Sequence, residues 1–243
     1  SKGLISAARR AADVRDAGAF GVQVPEGVET DFAAAMERMR RLRASIAPND
    51  SAKRFADLGI DVFLGEGRFV DNHTVEVAGE KLRFSKAVIC TGARPAAPPI
   101  SGLDQVEYLT NETVFSLTDL PQRFGMIGAG PIGCEMAQAF ARLGSEVYLV
   151  EATHGILPRE DRDASDIVLD SMKRDGVNLL CCGKELTLSK ADDGGIRMAV
   201  ESHGRSYDEV VDRLLVAVGR APNVEGLGLE HAGVESTKKG VTV

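Results

Sequence analysis

An α/β architecture, with parallel strands covered by helices, is what this sequence predicts, and three observations predict it. The first is the stretch Phe124–Glu151. There a short apolar run, a glycine turn, a helix-periodic segment and a second apolar run follow one another and end on an acid. The second is period-two patterning broken by turn residues over residues 68–84 and again over 185–211, which reads as two β-meanders. The third is a pair of β-rich runs that end in glycine, Ala87–Cys90 before Thr91-Gly92 and Leu214–Val218 before Gly219. The two halves of the chain look like diverged copies of one unit.

Taken in order, the chain opens on a helical pattern, Leu4 to Asp16, closed by Gly18. A loop with Gly21, Pro25 and Gly27 leads to Thr30 or Asp31, either of which can cap a long second helix. Phe32, Met36, Met39, Leu42 and Ile46 give that helix one apolar stripe, and Pro48-Asn49 ends it. A short helix is expected over about Ser51–Leu58, before Gly59. Strands are expected at Asp61–Leu64, Arg68–Val70, Thr74–Val77 and Lys81–Phe84, with turns at Gly65-Glu66-Gly67, Asp71-Asn72 and Ala78-Gly79. Ala87–Cys90 reads as a buried strand, and a proline-rich loop, Arg94 to Pro99, crosses to the next unit.

After the central segment, Asp163 or Ser165 can start a helix that runs to Arg174, with Gly176 as its stop. Val177–Leu180 is a third short strand, followed by the second meander over Glu185–Lys190, Ile196–Glu201 and Ser206–Val211. Leu214–Val218 then enters Gly219-Arg220-Ala221-Pro222-Asn223. The end of the chain, at Val243, reads as the start of a further strand.

The central segment carries chemistry. Gly128-Ala129-Gly130-Pro131-Ile132-Gly133 has the G-x-G-x-x-G spacing, placed between a strand and a helix as a dinucleotide-binding turn requires. Gly128 permits the tight turn. Gly130 lets the main chain approach a pyrophosphate, and Gly133 lets the helix pack closely. The helix amino end offers unpaired N–H groups and partial positive charge to the anion. Glu151, at the end of the second strand, is placed to accept hydrogen bonds from ribose hydroxyls and to repel a 2′-phosphate, so NAD rather than NADP is expected. A glycine turn without a ligand is the alternative.

Composition bounds the rest. With 243 residues the chain is one large or two modest domains. A net charge of −7 argues against a nucleic-acid or anionic-membrane surface. Arg38, Arg40, Arg41 and Arg43 read as a solvated helix face. No apolar run approaches the roughly 20 residues of a membrane span. No signal-peptide pattern opens the chain. Cys90, Cys134, Cys181 and Cys182 show no C-x-x-C or metal spacing and are expected to be reduced, mostly buried thiols of a cytoplasmic protein. The pair Cys181-Cys182 is a vicinal dithiol, of a kind that can bind soft metals, but neither a metal site nor a catalytic residue is assigned. His73, His154, His203 and His231 have no ligand spacing and read as surface histidines.

Four segments, SKGLI at the start, VICTGARP, IGAGPIGCE and LLVAVGRAPN, occur in an order that resembles the pyridine nucleotide–disulfide oxidoreductases, flavoenzymes such as dihydrolipoamide dehydrogenase and mercuric reductase. The resemblance implies a Rossmann-like FAD/NAD(P)-binding fold in which an NAD domain is inserted into an incomplete FAD domain. It places a partial FAD domain at residues 1–118, the NAD domain at 119–216 and a return to the FAD domain at 217–243. Gly67 matches a backbone site near the FAD adenine. Thr91, Gly92 and Ala93 match the strand end near the flavin, and Gly219 and Arg220 the turn on the nicotinamide side. The resemblance also pairs Lys2 with Glu135 beside the flavin ring.

The same resemblance marks what this chain lacks. The FAD fingerprint and redox dithiol that precede the Ser-Lys in the family, and the later flavin-binding Gly-Asp and dimerisation domain, have no counterpart here. The chain is therefore expected to be the central portion of a longer, homodimeric enzyme. That enzyme would pass hydride between NAD(H) and flavin, and electrons to or from a dithiol. By itself the chain is expected to act as a non-catalytic NAD-binding module with an incomplete FAD site. A relative with a single redox cysteine is a third reading.

Overall fold

A computed structural model describes residues 1–242; Val243, the expected strand start, lies outside the described residues. The chain divides into two compact units, residues 1–42 with 95–219, and residues 43–94 with 220–243. The expected cofactor domains are divided differently, because the first helix and most of the second group with the central segment.

The larger unit begins with α1 (Lys2–Arg15) and α2 (Phe32–Ile46), whose last turn crosses into the smaller unit. Asp31 supplies the cap of α2, accepting the Ala34 N–H at 2.9 Å. In the smaller unit, α3 (Ala52–Asp57) is capped by Ser51. A three-stranded antiparallel meander follows: β1 (Arg68–Asp71), β2 (Thr74–Val77) and β3 (Glu80–Arg83). The short β4 (Ala93–Pro95) comes next.

Back in the larger unit, β5 (Arg123–Ile127), α4 (Pro131–Leu143), β6 (Glu146–Val150), α5 (Arg162–Arg174) and β7 (Val177–Leu180) build two successive βαβ crossovers. The second meander is β8 (Lys184–Lys190), β9 (Ile196–Ser202) and β10 (Arg205–Val211). The strand β11 (Arg213–Val216) returns to give a parallel sheet of order β11-β5-β6-β7. The smaller unit closes with β12 (Arg220–Pro222), paired with β4, and with β13 (Ser236–Thr237) and β14 (Gly240–Val241), paired with each other.

The parallel sheet is buried on both faces, which is why its strands are continuously apolar. Alternate residues point to opposite sides. Phe124, Met126, Leu149 and Leu215 join a core with α1, α2 and α4, whereas Ile127, Val150, Leu214 and Val216 join one with the meander residues Met198 and Val200. Phe140 of α4 is fully buried, edge-on to Phe124 at 4.7 Å and tilted against Phe32 at 5.7 Å. Truncating a buried phenylalanine of this kind typically costs about 3–5 kcal/mol.

Two expected strands are absent. Residues 61–64 and 87–90 belong to no strand or sheet, and Leu64 and Val88 are 77% and 87% exposed. Apolar β-branched composition makes a segment able to pair; it becomes a strand only beside a hydrogen-bonded neighbour, and none of the described residues supplies one. The expected correspondence between the two halves therefore holds for the meanders and fails for the glycine-ended runs, since only β11 pairs into the parallel sheet.

Candidate dinucleotide site

The glycine turn lies at the carboxyl end of β5, in the crevice where β5 and β6 deliver their loops. Its glycines do different work. Gly128 has φ +99°, and a Cβ there would stand 2.6 Å from the Ala217 carbonyl oxygen. A Cβ on Gly133 would stand 1.8 Å from the Gly128 oxygen, so α4 can approach the turn only because that atom is missing. Gly130 differs from both. Its backbone is extended, at φ −73° and ψ −175°, and a Cβ there would meet nothing within 4 Å. The fold does not need a glycine at 130, and the space beside it stays open.

Gly130 is the N-cap of α4 and offers no side chain, Pro131 fills the first helical position, and Ile132 and Gly133 complete the first turn. Helix geometry leaves the first N–H groups of such a turn without intrahelical partners. Glu151 is half-buried directly after β6. Its Oε2 accepts the Ala129 N–H at 2.8 Å, and its Oε1 accepts the Thr153 N–H at 2.9 Å and hydroxyl at 3.0 Å. The carboxylate thus ties the glycine turn to the loop after β6. It retains lone pairs for further donors, since two carboxylate oxygens offer about four acceptor positions. An open pyrophosphate cradle with a carboxylate at its rim fits NAD(H).

Arg159, the nearest downstream arginine in sequence, makes no side-chain hydrogen bond or ion pair among the described residues, but Arg162 reaches back to this loop. Its guanidinium lies against Gly155 and is held by Asp166 at 2.9 Å. Sequence order alone did not indicate that contact.

The turn matched to the flavin side, Thr91-Gly92-Ala93, meets the segment that follows the turn matched to the nicotinamide side, within the smaller unit. The Thr91 hydroxyl donates to the Asn223 carbonyl at 2.7 Å, the Asn223 N–H donates to the Gly92 carbonyl at 3.0 Å, and Arg220 donates to the Ala93 carbonyl. Arg94 and Glu225 close the junction with a 2.9 Å ion pair. Gly92 at φ +69° and Gly219 at φ +131° occupy conformations that favour glycine. Gly67 does not, and a Cβ there would make only an ordinary 3.7 Å contact with Val75. The chain holds a single G-x-G-x-x-G, the one at Gly128–Gly133.

The expected Lys2–Glu135 pair is not formed. Both residues are exposed, and no ion pair joins them among the described residues. α1 and α4 meet through Leu4, Ala8 and Met136, which leaves both charges in solvent. Among the cysteines, burial pushes the Cys134 thiol up to about 12, and its Sγ lies 3.3 Å from the Ala129 carbonyl, so it serves packing rather than redox chemistry. Cys90 is exposed, not buried as expected. The groove lined by Leu109, Leu117, Leu120 and Arg213 lies at the amino ends of the strands, opposite the glycine turn.

A parallel sheet of this order, with helices on one face, a meander on the other and a glycine turn at its carboxyl end, defines a Rossmann-like α/β protein. Residues 7–243 match the pyridine nucleotide-disulphide oxidoreductase family, and the chain belongs to that family. It is 36% identical to a mercuric reductase of Lysinibacillus sphaericus over 90% of this chain and 40% of that protein. It is 32% identical to a dihydrolipoyl dehydrogenase of Chlamydia muridarum over 99% of this chain and 51% of that one. Among solved structures it resembles the HOCl-induced flavoprotein disulfide reductase RclA from Escherichia coli, at TM-score 0.80 and 30% identity, over 100% of this chain and 51% of that chain. The chain spans about half the length of these relatives. No described helix is long and apolar enough to cross a membrane.

Proposed function

We propose that this chain binds NAD(H), with the pyrophosphate on Gly128, Gly130, Ile132 and Gly133, and the adenosine ribose on Glu151. The observation that carries the reading is the contrast between Gly130 and Gly133: one faces open space, the other is fixed by packing. Bound NADH supplies hydride chemistry; the residues here orient it through main-chain N–H groups and the helix end, and the carboxylate selects against a 2′-phosphate.

The family assignment supports a wider proposal for the whole protein. It is an FAD-dependent disulfide oxidoreductase of mercuric reductase or dihydrolipoamide dehydrogenase type, acting as a homodimer and exchanging electrons with a dithiol. Residues 119–216 are its NAD domain, and residues 1–118 and 217–243 are parts of its FAD domain. Lys2, Gly67, Thr91, Gly92, Ala93 and Glu135 serve the flavin side there, and Gly219 and Arg220 the nicotinamide side. The chain alone binds nucleotide without turnover.

Calorimetric titration with NADH tests the first proposal. Gly130→Ala adds a Cβ with no protein atom within 4 Å, so it should keep the fold and reduce NADH affinity at least about tenfold, the loss of about 1.4 kcal/mol. Unchanged affinity in the folded variant overturns the assignment.

A further inference from the structure

Beside the nucleotide cradle, three loops of the larger unit bring four soft or borderline donors together. His154 lies in the loop after β6, Cys181 and Cys182 follow β7 directly, and His203 sits in the two-residue turn between β9 and β10. Their ligand atoms all lie within 4.8 Å of one another. Cys181 Sγ is 3.2 Å from His203 Nε2, and Cys182 Sγ is 3.6 Å from His154 Nδ1. A tetrahedral zinc ion with Zn–S near 2.3 Å and Zn–N near 2.0–2.1 Å has sulfur–nitrogen edges of about 3.6 Å. The two measured separations are already close to those edges.

The donors stand on fixed backbone. The Ser202 hydroxyl donates to the Cys181 carbonyl at 2.6 Å, the Cys182 N–H donates to the Thr153 carbonyl at 2.9 Å, and the Gly183 N–H donates to the Glu151 carbonyl at 2.9 Å. Cys182 and His203 hold φ of +56° and +51°, conformations that few non-glycine residues adopt. The His203-Gly204 turn, with both residues at positive φ, is of the hairpin type that directs the imidazole back beside β7. The strain of an aimed cysteine and an aimed histidine is what a ligand-holding arrangement retains.

We propose that His154, Cys181, Cys182 and His203 form a tetrahedral S2N2 site for Zn(II). This donor set suits zinc: two thiolates neutralise the dication, and the imidazoles complete four-coordination. Binding releases one proton from each thiol to solvent, and both sulfurs keep their oxidation state. The site is independent of the nucleotide reading, since none of its ligands is assigned to NAD(H).

The test uses the full chain, reduced with a phosphine and freed of metal, titrated with Co(II) and then with Zn(II). The expected result is one equivalent of Co(II) with intense visible d–d bands and thiolate-to-metal charge transfer, displaced by one equivalent of Zn(II). His154→Ala and His203→Ala alter exposed side chains and should fold normally. Each should weaken zinc binding by at least about tenfold, as loss of even an outer partner of a metal ligand costs about 10–100-fold. Cys90→Ser should bind as the parent does. The proposal is overturned by a weak octahedral cobalt spectrum, or by affinities that the histidine variants leave unchanged. It is equally overturned by a Cys181–Cys182 disulfide that persists under reduction.

Discussion

Glu151 shows how much one side chain is asked to do. Its carboxylate fixes Ala129 on one side and Thr153 on the other, and the proposal gives it the ribose as well. Hydrogen bonds to charged groups contribute about 1.5–3 kcal/mol, so Glu151→Ala should weaken NADH binding by about tenfold to a hundredfold. The loss of preorganisation would weaken any dinucleotide. The loss of negative charge would not, because it removes a repulsion felt only by a 2′-phosphate. The NADH-to-NADPH affinity ratio therefore separates the two effects. It should fall in Glu151→Ala, read by fluorescence titration with both nucleotides, and a constant ratio would place the adenosine ribose away from this residue. Arg162 does not compensate for the acid in the parent protein, since Asp166 already holds its guanidinium.

At the scale of elements, β5 and β11 are joined at their amino ends by one clasp. The Asp212 N–H donates to the Arg123 carbonyl at 2.8 Å, and the Asp212 carboxylate accepts the Arg123 N–H and guanidinium, both at 2.7 Å. Burial works against the Asp212 charge, but the bonds from Arg123 outweigh it and hold the carboxyl below the usual range. A carboxylate depressed on folding contributes stability that is complete above its unfolded pKa, near 3.9, and is lost as pH falls through the lower folded value. Asp212→Asn should therefore flatten the acid limb of the Tm–pH profile below about pH 4 and lower Tm at neutral pH. A variant with the parent's acid limb would show that the clasp adds nothing. The elements themselves were legible wherever the signal was local. Turn pairs such as Ala78-Gly79 and His203-Gly204 marked the hairpins, and Met136, Ala139, Phe140 and Leu143 marked the buried face of α4. Residues 61–64 and 87–90 misled because pairing depends on a neighbour that composition does not reveal. The cysteine–histidine cluster was hidden for a related reason: its ligands come from three loops, and only the vicinal cysteines are adjacent in sequence.

At the scale of the molecule, the chain's two compact units differ in what they bring to a nucleotide. Residues 1–42 and 95–219 contain the glycine turn, Glu151 and the two cores that sandwich the sheet. The meander β1–β3 lies in the other unit and contributes no proposed NAD(H) contact. Ligand bound only to the folded state stabilises it by RT ln(1 + [L]/Kd), about 2.7 kcal/mol at a hundredfold excess over Kd. Amides of β5, α4 and β6 that exchange through openings which expel the ligand should then slow by about a hundredfold. Hydrogen exchange followed by mass spectrometry, with and without NADH, reads both units in one sample, and residues 68–83 serve as the internal reference. Slowing concentrated over residues 123–155 would support the cradle as the binding site. Slowing that appeared in β1–β3 while leaving 123–155 unchanged would assign the nucleotide to the smaller unit, where Thr91, Gly92 and Arg220 converge, and would remove Gly130 and Glu151 from the function proposed for them.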